Sequence, residues 1–138
     1  MRYVDDSIAT SPARACVALD AIDAPILIIA GGRDKRLPWK DFAVKVARRT
    51  RAVYLLGEAA PLIEHEVLEQ IEGDGMLQRD AVVRCNSLKE AVRHARAAAD
   101  PGDVVLLSPG CASYDMFTDY EERGRMFVQE VEDLKRAA

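Results

Sequence analysis

Five short apolar runs, at residues 2–5, 25–30, 52–56, 81–84 and 103–107, alternate with longer segments whose apolar positions recur at helical spacing. That alternation leaves few folds open. Each helix must carry the chain back to the edge it left, so successive strands lie parallel. The runs at 25–30 and 103–107 are almost continuously apolar, as in strands covered on both faces. The expectation is an α/β fold, a Rossmann-like three-layer αβα sandwich on a mainly parallel sheet. At 138 residues the chain can bury one core, so residues 1–138 are read as a single domain.

The helix starts are written in the sequence. Ser11-Pro12 offers an N-cap followed by proline in the first turn. Ser87 with Glu90, and Thr118 with Glu121, read as capping boxes. Trp39, Phe42, Ala43 and Val46 fall on one face of a helix over 38–49, and a shorter element is expected over 58–71. Leu88, Ala91, Val92, Ala95 and Ala98 form the next inward face. In the last helix Tyr120, Gly124, Phe127, Val131 and Leu134 make one stripe, with Gly124 allowing close approach to the sheet.

Charge narrows the partners. The formal net charge is −4, with both signs interspersed, which is not the basic footprint of a nucleic-acid binder. No apolar run is long enough to cross a bilayer, and the first residues, MRYVDDS, hold no signal-peptide core. A cytoplasmic protein with no nucleic-acid or membrane partner is expected. Cys16, Cys85 and Cys111 are odd in number and widely spaced, which suggests neither a disulfide framework nor a paired-cysteine metal knuckle. His65 opens His-Glu-Val-Leu-Glu, lacking the second histidine of a zinc HExxH helix. His94 has no ligand-type neighbour in the sequence pattern, and no metal site is expected.

In open parallel sheets, ligands sit beyond the carboxyl ends of the strands. Three polar segments occupy such exits: DDSIATSP, GGRDK and SPGCASYDMF. In GGRDK, a sharp glycine turn with exposed amides, beside Arg33 and Lys35, would suit a carboxylate or phosphate; a solvated turn is the plainer reading. Neither a G-x-G-x-x-G nor a G-x-x-x-x-G-K-[ST] loop occurs, so the chain has no evident cradle for a nucleoside triphosphate. In DDSIATSP, Ser7 and Thr10 could donate to a carboxylate, and an aspartate could accept from ribose hydroxyls. The alternative is helix-entry polarity. In the last segment Ser113 offers a hydroxyl and an amide, and Tyr120 could wall a small site. Cys111 has no histidine near it in sequence, and Ser113 lacks the G-x-S-x-G elbow. Binding therefore fits better than covalent catalysis, and no catalytic residue is assigned.

Taken in order, V-D-D-S-I-A-T, G-G-R-D-K, Y-L-L-G-E-A and S-P-G-C-A-S-Y-D-M-F-T-D-Y-E-E-R-G resemble the C-terminal domain of the Mur ligases of peptidoglycan synthesis, over essentially the whole chain. The likeness is to the branch that joins D-glutamate to UDP-N-acetylmuramoyl-L-alanine. It implies two further domains, an N-terminal one for the UDP-sugar and a central ATPase, with ATP and Mg2+ bound mainly by the latter. It also implies an acyl phosphate attacked by the D-glutamate amine. Thr10, Lys35, Ser113 and Tyr120 would then bind D-glutamate and Asp6 would contact the nucleotide, while the chain by itself would be inactive. The abrupt start at the first strand reads as a domain cut from a longer chain. Two positions depart from the family: Ile8 stands where lysine is usual, and Tyr120 where phenylalanine is. The same domain from a related amino-acid or folate ligase, or a freestanding binding module, are the alternatives.

Overall fold

The computed structural model describes residues 1–34, 36–71, 76–113 and 117–137. The elements run β1 (Arg2–Asp5), α1 (Pro12–Ala21), β2 (Ile26–Gly31), α2 (Lys40–Arg49), β3 (Thr50–Leu56), α3 (Ala60–Gln70), β4 (Val82–Arg84), α4 (Leu88–Ala98), β5 (Val104–Leu107) and α5 (Tyr120–Ala137), with one 3-10 turn at Arg79–Ala81. The strands form one sheet in the order β1-β5-β2-β3-β4, and every pairing is parallel. The α/β sandwich expected from the alternation is the fold observed.

Residue alternation along the central strands divides the core. Ile26, Ile28, Val53, Leu55, Val104 and Leu106 pack with the buried faces of α1, α2 and α3. Leu27, Ile29, Tyr54, Leu56, Val105 and Leu107 pack with those of α4 and α5. A strand with both faces covered has no polar face to show, which is why β2 and β5 carry no charged residue.

The caps follow the sequence with one shift. Ser11 Oγ accepts from the Arg14 amide at 3.3 Å, and Ser87 Oγ from the Glu90 amide at 3.1 Å. At α5 the cap is Asp119 rather than Thr118: its carboxylate accepts from the Glu122 amide at 2.8 Å, and Glu122 reaches back to the Thr118 amide at 3.2 Å. A carboxylate at a helix N-terminus gains from the helix dipole as well as the hydrogen bond, so the aspartate takes the role. The inward stripe also differs at its start. Tyr120 is 38% exposed, and Arg123, at 2%, takes the buried place. The helix begins beyond the end of the sheet, where polar loops rather than apolar strands must be covered. Gly124 does lie close: a Cβ there would sit 2.7 Å from an Asp5 carboxylate oxygen.

Candidate functional site

β1, β5 and β2 are neighbours in the sheet, so the loops leaving their carboxyl ends meet. Main-chain bonds join them. The Gly110 amide donates to the Ala9 carbonyl at 2.8 Å, Gly31 to Pro109 at 3.0 Å, and Arg33 to Ala112 at 2.8 Å. This corrects one expectation. The amides of Gly31, Gly32 and Arg33 are not open to an anion; Gly32 donates to the Leu56 carbonyl at 3.1 Å. The glycines serve approach instead, since a Cβ on Gly31 would stand 2.1 Å from the Leu56 carbonyl oxygen and one on Gly32 2.4 Å from that of Ala112.

The residue that binds these loops together is one the motif reading missed. Arg123 sends its guanidinium beneath them: Nε donates to Ser7 Oγ at 3.0 Å, Nη2 to the Ser7 carbonyl at 2.8 Å, and Nη1 to the Cys111 carbonyl at 3.0 Å. Ser7 Oγ in turn donates to the Tyr120 carbonyl at 2.6 Å, and Asp5 accepts from the Ser7 amide at 3.0 Å. The planar fork reaches two loops at once, which a lysine could not do. A signal was available in sequence: Arg123 falls three residues after Tyr120 and four before Phe127, on the face that turns inward.

The predicted site residues fall around this knot unevenly. Asp6 is half-buried, its amide on the Leu107 carbonyl and its carboxylate accepting from Ser108 Oγ at 2.7 Å. Thr10 is half-buried beside Ala9, just before the Ser11 cap. Ser113 is only 2% exposed, and its carbonyl accepts from the Phe117 amide at 2.9 Å. Lys35 lies outside the described residues. A groove of about 670 Å³ runs along the outer side of α5, walled by Asp5, Ser7, Ile8, Tyr120 and Gly124 among others. Of the predicted residues it includes Tyr120 but not Asp6, Thr10 or Ser113. Ile8, 52% exposed, puts an apolar side chain on its rim.

Burial pushes the Asp6 carboxyl above its ordinary value of 3.8, partly opposed by the Ser108 hydrogen bond and reinforced by the nearby Asp5 charge. A carboxyl whose folded pKa is raised favours the fold fully below the unfolded value and loses that contribution as pH climbs through the folded one. Replacing Asp6 with asparagine keeps an acceptor for Ser108 and removes the ionisation. Asp6→Asn should therefore show a flatter stability profile from pH 3.8 upward than the parent, and should be no less stable at neutral pH. Urea midpoints across that range give the comparison; a steeper profile would contradict it.

Elsewhere, His65 is a surface residue paired with Glu69 at 3.2 Å, as its position on the outer face of α3 suggested. His94 departs from expectation: its ring nitrogen, the Glu90 carboxylate and Cys85 Sγ gather within 4.8 Å of one another. Cys111 is buried.

A parallel sheet covered by helices on both faces, with the loops at the carboxyl ends of adjacent strands bonded to one another, defines a three-layer α/β domain. Residues 1–111 match the family described as Mur ligase, glutamate ligase domain, and the chain belongs to that family. It is 46% identical over 134 residues to the UDP-N-acetylmuramoylalanine--D-glutamate ligase of Symbiobacterium thermophilum, covering 97% of this chain and 28% of that protein. With the enzyme of the same name from Pseudomonas fluorescens the identity is 43% over 136 residues, covering 96% and 28%. Among solved structures, the MurF ligase of Thermotoga maritima in complex with ADP has the same fold. Its TM-score is 0.54 at 16% identity, over 99% of this chain and 28% of that one. The chain thus spans a little over a quarter of the length of the relatives it matches. No helix among the described residues is long and apolar enough to cross a membrane.

Proposed function

We propose that this chain is the acceptor domain of an ATP-dependent ligase that joins D-glutamate to UDP-N-acetylmuramoyl-L-alanine, and that its part in the reaction is to hold the incoming amino acid. The observation that carries the reading is the convergence of the DDSIAT and SPGCAS loops on Arg123, in a chain whose relatives bear that enzyme's name. In this reading the Lys35 ammonium pairs with one carboxylate of D-glutamate. Thr10 and Ser113 donate to carboxylate oxygens, Tyr120 walls the site, and Asp6 meets the nucleotide when the domains close.

The phosphoryl chemistry is assigned to the two further domains, which hold ATP and the UDP-sugar. Mg2+ calls for a cluster of oxygen ligands. Among the described residues the one metal-competent trio contains a thiol and an imidazole, so Mg2+ does not fit that trio. What this domain contributes is orientation. Holding the amine of D-glutamate still against an acyl phosphate, out of water, turns a bimolecular encounter into a positioned one.

Titration of the isotope-labelled chain with each glutamate enantiomer tests the assignment. D-Glutamate should shift the resonances of Thr10, Lys35, Ser113 and Tyr120, and L-glutamate should leave them in place. Equal responses to the two enantiomers would remove D-glutamate from the reading.

A further inference from the structure

Cys85 is carried by the turn that follows β4, at the opposite edge of the sheet from β1, with β5, β2 and β3 between. Glu90 and His94 stand one turn apart on α4, so both project from the same face of the helix. The His94 Nε2 to Glu90 Oε1 distance is 3.7 Å, and all three ligand atoms, with Cys85 Sγ, lie within 4.8 Å of each other. Tetrahedral zinc bound by sulfur, nitrogen and oxygen places its ligand atoms about 3.4–3.6 Å apart, so the trio needs only a small contraction to close on an ion. We propose that Cys85, Glu90 and His94 form a site for a late first-row transition-metal dication of the class of Zn2+, with water as the fourth ligand.

Two features fix the ligands before any ion arrives. The Asn86 amide donates to Glu90 Oε2 at 3.1 Å, which holds the carboxylate by one oxygen and leaves Oε1 turned toward His94. The His94 ring stacks on Tyr54, with centroids 6.1 Å apart and planes at 14°, so its orientation is set by a side chain of β3. Outer contacts of this kind tune and align metal ligands. The donor set decides the class of ion: thiolate and imidazole favour zinc, cobalt or nickel over magnesium and calcium. Coordination replaces the proton on Cys85 Sγ, which passes to solvent. Thiolate and carboxylate together then neutralise the dication, so the neighbouring Lys89 and Arg93, which line the adjoining groove with Glu90 and His94, face no net like charge. An ion here would tie the end of the three-residue strand β4 to α4.

The test uses the whole 138-residue chain and Co2+ as a coloured probe, with Zn2+ as competitor. A thiolate-to-cobalt charge-transfer band saturating at one equivalent, and erased by Zn2+, is expected. Cys85→Ser should abolish the band, while Cys16→Ser keeps it. His94→Gln changes an exposed side chain and should weaken binding at least about tenfold, a loss of the size that follows damage to a metal site. Circular dichroism confirms that each variant is folded. Absence of the band in the parent chain, its survival in Cys85→Ser, or unchanged affinity in folded His94→Gln would each overturn the proposal.

Discussion

Arg123→Ala is expected to destabilise the chain by about 3–5 kcal/mol, the range reached when several buried partners are stranded at once. The guanidinium supplies donors to Ser7 Oγ, to the Ser7 carbonyl and to the Cys111 carbonyl, all in a region closed to solvent. Removing it leaves those acceptors facing a cavity. Arg123→Lys should recover little, because one ammonium on a shorter reach cannot serve two loops in the plane of the original fork. Chemical denaturation of the two variants against the parent provides the check. A loss below about 1 kcal/mol in Arg123→Ala, the scale of a single ordinary hydrogen bond, would show that the loops are held by their main-chain bonds alone. In the acceptor-domain reading the same substitution should also remove the D-glutamate response at Thr10 and Ser113, since both loops lose their common anchor.

The second large effect is expected from Gly31→Ala. Gly31 ends β2 at φ +122°, a backbone shape that side chains rarely adopt, and an added Cβ would meet the Leu56 carbonyl oxygen at 2.1 Å. That oxygen belongs to the neighbouring strand and cannot swing away as a side chain would. Strain at the dihedral costs about 1–3 kcal/mol, and the clash with backbone adds to it, so a loss of more than about 3 kcal/mol or failure to fold is expected. Gly102→Ala separates the two causes. Gly102 also has positive φ, at +91°, but a Cβ there meets nothing within 4 Å. Its substitution should show the dihedral term alone, about 1 kcal/mol. Equal losses at the two glycines would mean that the close approach at Gly31 carries no energy.

β2 and β5 were legible because a doubly covered strand must be apolar at every position. At β3 the reading falls short: the strand begins at Thr50, whose hydroxyl is buried on the Val46 carbonyl at 2.8 Å, two residues before the apolar run. At the α5 start, Thr118 and Asp119 both suit a cap, and only the spacing to Glu122 in the folded chain decides between them. The glycine pair was visible as a turn, but periodicity says nothing about which amides are consumed by a loop arriving from β5. What Arg123 and the Cys85 trio would meet was hidden for a related reason. Their partners lie on other elements, and a pattern confined to one helix does not reveal what a distant loop brings to it. Conversely, strand-exit logic placed the three polar segments after β1, β2 and β5, where the chain carries them, while Ser113 proves buried and the open groove is lined by Tyr120 and Ile8.

The strand order also governs the sequence of events during synthesis. β1 pairs only with β5, register Arg2 to Val104, and Asp6 is bonded to Ser108 across 102 positions. β1 therefore emerges long before the ribosome has made the partner that receives it, and Ser7 waits longer still for Arg123, 116 positions on. Contacts so far apart in sequence form late and slowly. β2, β3 and β4 can assemble with their helices in the meantime, because each pairs with a strand close behind it. Within this domain β1 is therefore the strand that waits longest for its partner, and the loop knot at its end comes into being only once α5 has been made.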